Sequence, residues 1–206
     1  MTMNNGMMTR QFSERISDDE LRQLPLLQFE GKVTLVDNMD RFYRAMADIG
    51  KPVVLGFDTE TRPSFKKGRR YQVALLQLAD ADRAWLFRLN MIGLPPELAG
   101  LLSDRGIIKT GVAIRDDIKA LRALTHFEPH GFTDLQNMVS DHGIKELGLK
   151  KLTAIVLGYS ISKSQQVSNW EAPALTEPQQ LYAATDAWVC RRIYLALNGK
   201  ETHHNR

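Results

Sequence analysis

The chain has 206 residues, 43% of them hydrophobic and 25% charged, which is the composition of a single globular domain with its own core. Its one cysteine, Cys190, excludes an internal disulfide and a cysteine-rich zinc site, and it favours the reducing cytoplasm. The net charge of +3 permits a nucleic-acid partner without requiring one, and no apolar stretch reaches the roughly 18 residues of a membrane span, so no membrane partner is predicted.

Short apolar runs bounded by turn residues predict strands, and helical periodicity marks the segments between them. The predicted strands lie at 29–36, 53–57, 73–78, 84–87, 107–112 and 132–134. The predicted helices begin at Ser17 and at residues 38, 96, 114, 150 and 176. The last of them has a capping box, Thr176 with Gln179, and ends at Gly199. This order predicts one α/β domain at 29–199, between a partly flexible N-terminal extension, 1–28, and a polar tail, 200–206.

Two carboxylates follow the most apolar predicted strand. Asp58 and Glu60 are two residues apart, so in a strand their side chains lie on one face. Neighbouring carboxylates repel each other and destabilise the fold unless a cation or strong hydrogen-bond donors lie between them. The position after a buried strand favours a cation, although most D-x-E tripeptides are ordinary surface charges.

The last predicted helix carries a third carboxylate in an unfavourable place. Tyr182 and Asp186 are four residues apart and share a face with Val189, Ile193 and Leu197, an apolar stripe that predicts contact with the core. An unpaired carboxylate on such a face is unfavourable. The alternatives to a metal ligand are a structural aspartate paired with an arginine, or a different phase of the helix.

A doubled aspartate stands where the strand at 107–112 is followed by a helix. Acidic residues at a helix start usually cap it and interact favourably with its dipole. Helical phase places Asp117 with Leu121 and Leu124, over the sheet, and Asp116 on a different face. Asp117 is therefore the predicted site residue, and whether Asp116 shares its role is left open.

The residues discussed above belong to a series of five segments: 56–60 (GFDTE), 73–78, 111–117 (GVAIRDD), 168–170 (SNW) and 181–187 (LYAATDA). In this order and spacing they resemble the DEDD-type 3′→5′ exonucleases that carry tyrosine in the third motif. This subclass of the DnaQ-like superfamily includes the Werner-syndrome exonuclease domain and the ribonuclease D catalytic domain. The resemblance covers the chain from about residue 53 to residue 195.

The resemblance implies a ribonuclease-H-like fold, a mixed five-stranded sheet flanked by helices. It also implies two divalent ions, Mg²⁺ or Mn²⁺: Asp58, Glu60 and Asp186 hold the first, and Asp58 reaches the second with Asp117, directly or through water. Ligands that are all oxygen suit these ions better than zinc. Tyr182 would orient the attacking water, because a phenol with a pKa of about 10 is a poor base at neutral pH.

A basic cluster follows the first motif and is predicted to bind phosphates of the substrate. It comprises Arg62, Lys66, Lys67, Arg69 and Arg70. Lys163, in a later polar loop, is a further candidate, and Trp170 and Phe65 are candidates for stacking on a base. The alternatives are a solvated loop for the basic cluster and a core position for Trp170.

The predicted activity is hydrolysis of phosphodiesters from the 3′ end of a single-stranded or frayed nucleic acid, with release of nucleoside 5′-monophosphates. DNA is the favoured substrate, and trimming of RNA 3′ ends is the alternative, since metal-bound carboxylates contact phosphate and not sugar. A third hypothesis, from another class, is a catalytically silent nucleic-acid-binding adaptor. The complete set of five residues argues against it, because a silent domain has no reason to keep repelling carboxylates together.

Overall fold

The computed structural model describes residues 12–64, 68 and 71–199, which form a mixed sheet flanked by helices. The strands are β1 (Lys32–Val36), β2 (Val54–Thr61), β3 (Val73–Ala79), β4 (Arg83–Arg88), β5 (Ile108–Gly111) and β6 (Phe132–Asp134). The helices are α1 (Asp18–Gln23), α2 (Met39–Ile49), α3 (Leu89–Ile92), α4 (Pro96–Ser103), α5 (Arg115–Leu124), α6 (Leu135–Asp141), α7 (Leu149–Leu157) and α8 (Glu177–Leu197).

The sheet has the strand order β1-β4-β3-β2-β5-β6. Strand β2 lies inside it, antiparallel to β3 and parallel to β5. The six strands predicted from the residues are all present, whereas the resemblance implied five. Both edge strands pair in parallel with their neighbours, β1 with β4 and β6 with β5. Helices α3 and α6 were not predicted, because they have only four and seven residues, too few to show a clear period.

The two faces of the sheet bury different sets of helices. On one face α2, α4 and α5 pack with Leu55 and Phe57 of β2 into the largest apolar cluster. On the other face α8 packs against the sheet through the small residues Ala183, Ala184 and Ala187. Residues alternate along a strand, so Gly56, Asp58 and Glu60 all face α8. The predicted apolar stripe of α8 is confirmed, since its members after Asp186 are buried.

Helix α8 approaches β2 closely at Gly56. A Cβ atom at this position would lie 1.8 Å from the carbonyl oxygen of Ala187. Close by, Nε of Arg191 donates a hydrogen bond of 3.2 Å to the carbonyl oxygen of Val54. Because Ala187 follows Asp186 directly, the missing side chain at Gly56 sets how near the carboxylate of α8 can come to that of Asp58.

A Gly56→Ala substitution is expected to destabilise the protein by about 3 kcal/mol or more, because the backbone of α8 must move to accept the methyl group. Gly100→Ala is the matched control, since a Cβ there meets nothing within 4 Å and Gly100 lies within α4, where alanine stabilises by about 1 kcal/mol. Denaturant unfolding of both variants in EDTA measures the difference. A Gly56→Ala protein as stable as the parent would refute the close approach.

The described part of the N-terminal extension packs on the domain. Helix α1 begins with the capping box of Ser17 and Glu20. The backbone N–H of Leu27 donates to the carbonyl oxygen of Ser160 at 2.7 Å, and that of Phe29 donates to Oγ1 of Thr185 at 3.1 Å. Residues 25–29 are therefore held against α8 near Asp186. Residues 1–11 and the predicted tail at 200–206 lie outside the described residues. Within the described part of the chain, every helix is too short or too polar to cross a membrane.

Candidate active site

Three carboxylates converge where β2 meets α8. Asp58 and Glu60 come from β2 and Asp186 from α8, and each contributes one oxygen to a group in which all oxygens lie within 4.8 Å of one another. Asp186 is only 7% exposed. The two alternatives considered for Asp186, a pairing with arginine and a different helical phase, are not what the structure shows, because its neighbours in this group are carboxylates.

The electrostatics of the group favour a cation among the carboxylates. Burial, and then the charges of Asp186 and Asp117, raise the pKa of Asp58 well above its usual range. Burial, followed by the charge of Asp58, raises the pKa of Glu60 to about 10. Burial also raises the pKa of Asp186 to about 7. Three such groups ionise together only if a positive charge lies among them.

The donor set fits a hard divalent cation. Oδ1 of Asp186 is buried and has no hydrogen-bond partner among the described residues, so one lone pair of the group is unused. All three ligand atoms are carboxylate oxygens, the kind that Mg²⁺ and Mn²⁺ prefer. The group would hold such an ion through Asp58, Glu60 and Asp186.

Tyr182 lies one turn before Asp186, and the interaction of its hydroxyl with that carboxylate lowers the pKa of Asp186, against the larger effect of burial. Burial, and then the charges of Asp186 and Glu60, raise the pKa of Tyr182 far above its usual range. The phenol therefore keeps its proton at neutral pH and acts as a donor. Its ring packs near Trp170, with ring centroids 6.0 Å apart. This ring contact helps to fix the position of the Tyr182 hydroxyl.

Asp117 stands next to the three-carboxylate group without joining it. It lies in the first turn of α5, and its carboxylate accepts a hydrogen bond from the hydroxyl of Thr59, the residue between Asp58 and Glu60. Its charge contributes to the raised pKa of both of those residues. Asp116 is exposed, as the predicted helical phase requires. Asp117 is thus placed to contact a cation at the edge of the three-carboxylate group, directly or through water. The exposed Asp116 is not.

The turn that presents Asp117 depends on a residue that the motifs did not reveal. Ala113 has a left-handed conformation, with φ of 57°, which is unfavourable for alanine. The carboxylate of Asp134 offsets this by accepting hydrogen bonds from the backbone N–H groups of Ala113 and Ile114, at 3.1 and 3.2 Å. Asp134 also caps α6. Its only signal in the sequence is its place at the end of a strand.

The three-carboxylate group opens into a recess of about 310 Å³, the carboxylate recess. Polar residues from the start of α7 and from the loop that follows that helix line it: Lys150, Ser162, Lys163 and Gln166. The charge of Lys163 lowers the pKa of Asp186, partly offsetting the effect of burial. A second recess of about 360 Å³ adjoins it at Tyr182 and Asp186, and Leu27 and Gln28 of the N-terminal extension form part of its wall. Lys163 is the predicted substrate contact that the structure brings to the site, and Lys150 and Gln166 were missed.

The other predicted substrate contacts have different surroundings. Arg62 forms an ion pair of 3.3 Å with Glu171 and lies over the ring of Tyr71. Trp170 is 0% exposed, so its ring has no free face for a base and it occupies the core position given as the alternative. Phe65 lies outside the described residues, and so do the remaining members of the basic cluster: Lys66, Lys67, Arg69 and Arg70.

Comparison with known families and proteins agrees with this geometry. The family model described as 3′-5′ exonuclease matches residues 33–200. The mouse bifunctional 3′-5′ exonuclease/ATP-dependent helicase WRN is 32% identical over 184 residues, which cover 84% of this chain and 13% of the mouse protein. The exonuclease 3′-5′ domain-containing protein 2 of Drosophila melanogaster is 40% identical over 149 residues, or 70% of this chain and 25% of that protein. The chain thus spans a quarter or less of the length of these two relatives.

Solved structures give the same result for the fold. The Nibbler EXO domain of Aedes aegypti superposes with a TM-score of 0.74 and 28% identity, covering 83% of this chain and 89% of that one. RNase D of Escherichia coli superposes with a TM-score of 0.69 over 82% of this chain and 46% of its own, at 21% identity. The predicted ribonuclease-H-like fold is confirmed.

Proposed function

Since this chain belongs to the 3′-5′ exonuclease family, we propose that it removes nucleotides one at a time from the 3′ end of a nucleic acid, as a metal-dependent phosphodiester hydrolase. The observation that carries the proposal is the three-carboxylate group, whose oxygens lie within 4.8 Å of one another at the mouth of the carboxylate recess. The raised pKa values of Glu60 and Asp186 support it, because buried carboxylates that stand together ionise readily only beside a positive charge.

The proposed cofactor is a pair of divalent ions, Mg²⁺ or Mn²⁺. When bound, they supply hydroxide at neutral pH and stabilise charge on the attacking and leaving oxygens. Asp58, Glu60 and Asp186 would hold the first ion, and Asp58 with Asp117 the second. The side chains of Lys150 and Lys163 line the same recess and would attract the phosphates of the entering strand.

The proposed reaction is an in-line displacement at the last phosphodiester. An oxygen from water forms a bond to phosphorus, and the bond from phosphorus to the 3′ oxygen of the preceding nucleotide breaks. The leaving 3′ oxygen takes up a proton, so the products are a nucleoside 5′-monophosphate and a strand shortened by one residue. Tyr182 remains protonated throughout and orients the attacking water through its hydroxyl, beside the carboxylate of Asp186.

A Tyr182→Phe substitution is expected to lower kcat by about 100-fold, because the attacking water loses its orienting group, while KM changes little. Stabilisation by Mn²⁺ should be kept, since Tyr182 is not a ligand. Single-turnover degradation rates and thermal unfolding with and without Mn²⁺ measure the two effects. Full activity in the phenylalanine variant would dismiss the positioning role.

The proposed function is tested by degradation of matched single-stranded DNA and RNA labelled at the 5′ end, in Mg²⁺, Mn²⁺ or EDTA. A ladder that shortens from the 3′ end only with metal supports the proposal. DNA is the predicted substrate and RNA the alternative, and the two strands in one assay decide between them. Intact strands that are nevertheless bound by the protein would support the silent adaptor instead.

We also propose a cytoplasmic location. The support is Cys190, which is free and buried beside the site, where burial, and then the charges of Asp58 and Asp186, raise its pKa and keep it as a thiol. Fractionation of cells that express the tagged protein tests it.

A further inference from the structure

Gln77, in the middle of β3, is a buried amide that the proposed mechanism does not use. Its side chain is 0% exposed. Neither Nε2 nor Oε1 has a hydrogen-bond partner among the described residues. A buried polar group without a partner destabilises a fold, so a glutamine at this position is better explained by a partner that it gains in another state of the site.

The pairing of β2 with β3 identifies that partner. Gln77 stands directly opposite Asp58 in the antiparallel register, so the two side chains lie on the same face, with Cβ atoms about 4.5–5.5 Å apart. The other positions directly next to Gln77 on this face of the sheet are Leu86 on β4, and Leu75 and Ala79 along β3. Of these four adjacent positions only Asp58 carries a polar side chain, and Glu60 and Arg88, both opposite Leu75, are the polar residues on the diagonals.

The alanines of the helix above Gln77 offer no side-chain partner. On this face the apolar clusters on either side of Gln77 contain Ala183, Ala184 and Ala187 of α8. Alanine side chains leave room for an amide to rotate and provide neither a donor nor an acceptor. The amide therefore has one polar side chain directly next to it on the sheet, that of Asp58, which belongs to the three-carboxylate group.

We propose that Gln77 is a positioning residue for Asp58: its Nε2 donates a hydrogen bond to one carboxylate oxygen and directs the other toward the cation. The inference rests on the proposed metal-dependent function. An ionised carboxylate has about four lone-pair sites, and the cations occupy only some of them. A hydrogen bond to a metal-ligating carboxylate fixes its orientation, and loss of such a bond typically weakens metal binding 10–100-fold.

The test is a Gln77→Met variant, which keeps the length and volume of the side chain and removes the hydrogen bond. The readout is the Mn²⁺ concentration at the midpoint of the metal-dependent rise in Tm. We expect the midpoint to move about 10–100-fold higher than in the parent. In EDTA the variant should be as stable as the parent or more so, because an unpaired polar group is gone. At saturating Mn²⁺ its kcat should return to within a few-fold of the parent.

Thr110→Val is the matched control. Thr110 is also buried on β5 with an unpartnered Oγ1, but it pairs with Gly56 and not with Asp58. Removing its hydroxyl should leave the Mn²⁺ midpoint unchanged. Gln77→Leu is a second variant in case methionine does not fold, with the same expected shift.

The outcomes separate this inference from the proposed function. If Mn²⁺ does not raise the Tm of the parent protein, the proposed metal site is refuted and the inference is refuted with it. If the parent responds to Mn²⁺ and the Gln77 variants keep its midpoint, only the inference is overturned, even if their Tm in EDTA changes. A shifted midpoint in the Gln77 variants with an unshifted one in Thr110→Val supports the positioning role.

Discussion

An Asp58→Asn substitution is expected to lower the rate of 3′-end degradation by about 10³-fold or more, the largest effect that we predict for a single side chain. Asp58 is the one residue that would hold both ions. The amide has nearly the same shape and no charge, so the fold should be retained. Single-turnover rates at saturating Mn²⁺ measure the loss.

The same substitution is expected to stabilise the protein in EDTA. Burial, and then the charges of the neighbouring carboxylates, raise the pKa of Asp58 and Glu60, and burial raises that of Asp186. An asparagine removes one of the charges at no cost in volume. The rise of Tm with Mn²⁺ should be lost at the same time. Loss of activity together with gain of stability in EDTA distinguishes a metal ligand from a residue that holds the fold together.

Asp116→Asn is the matched control for this prediction, since Asp116 is exposed and lies next to Asp117 in the chain. Its rate, its Tm in EDTA and its response to Mn²⁺ should equal those of the parent. An Asp58→Asn protein that keeps its rate, or an Asp116→Asn protein that loses it, would contradict the assignment of the site.

The second large effect is on stability as a function of pH. In EDTA, the free energy of unfolding is expected to fall as pH rises from about 4 toward about 10. The pKa of Glu60 rises from its ordinary 4.5 to about 10 in the folded protein, and that of Asp186 from 3.8 to about 7. Between these limits the folded state binds more protons than the unfolded state, so raising the pH favours unfolding. Of these two residues, both contribute below pH 7 and Glu60 continues to contribute above it, together with Asp58, whose pKa is also raised.

Denaturant unfolding in EDTA across this pH window measures the effect, and Glu60→Gln is the variant that isolates it. Glutamine does not titrate, so the variant should lose less stability with pH than the parent does. With Mn²⁺ present the slope of the parent should diminish or reverse, since the cation binds the ionised carboxylates and competes with protons. Equal slopes for parent and variant in EDTA would show that Glu60 is not held in the unfavourable environment that the three-carboxylate group creates.

The sequence determined by itself those features that depend on near neighbours in the chain. Helix α8 was predicted from its capping box and from the stripe after Asp186, because a 3.6-residue period and a capped end are local properties. The shared face of Asp58 and Glu60 followed from strand alternation in the same way. The phase of α5 likewise separated Asp117 from the exposed Asp116.

The tertiary structure alone decided which residues from distant segments meet. No local pattern shows that Gly56 must lack a side chain to admit the backbone of Ala187. Nor does one show that Gln77 of β3 stands opposite Asp58 of β2. The burial of Trp170 and the hydrogen bond from Thr59 to Asp117 likewise depend on residues that are far apart in the sequence. Such contacts depend on strand register and on the distance between helix and sheet, which are set by packing over the whole domain and not by the residues on either side.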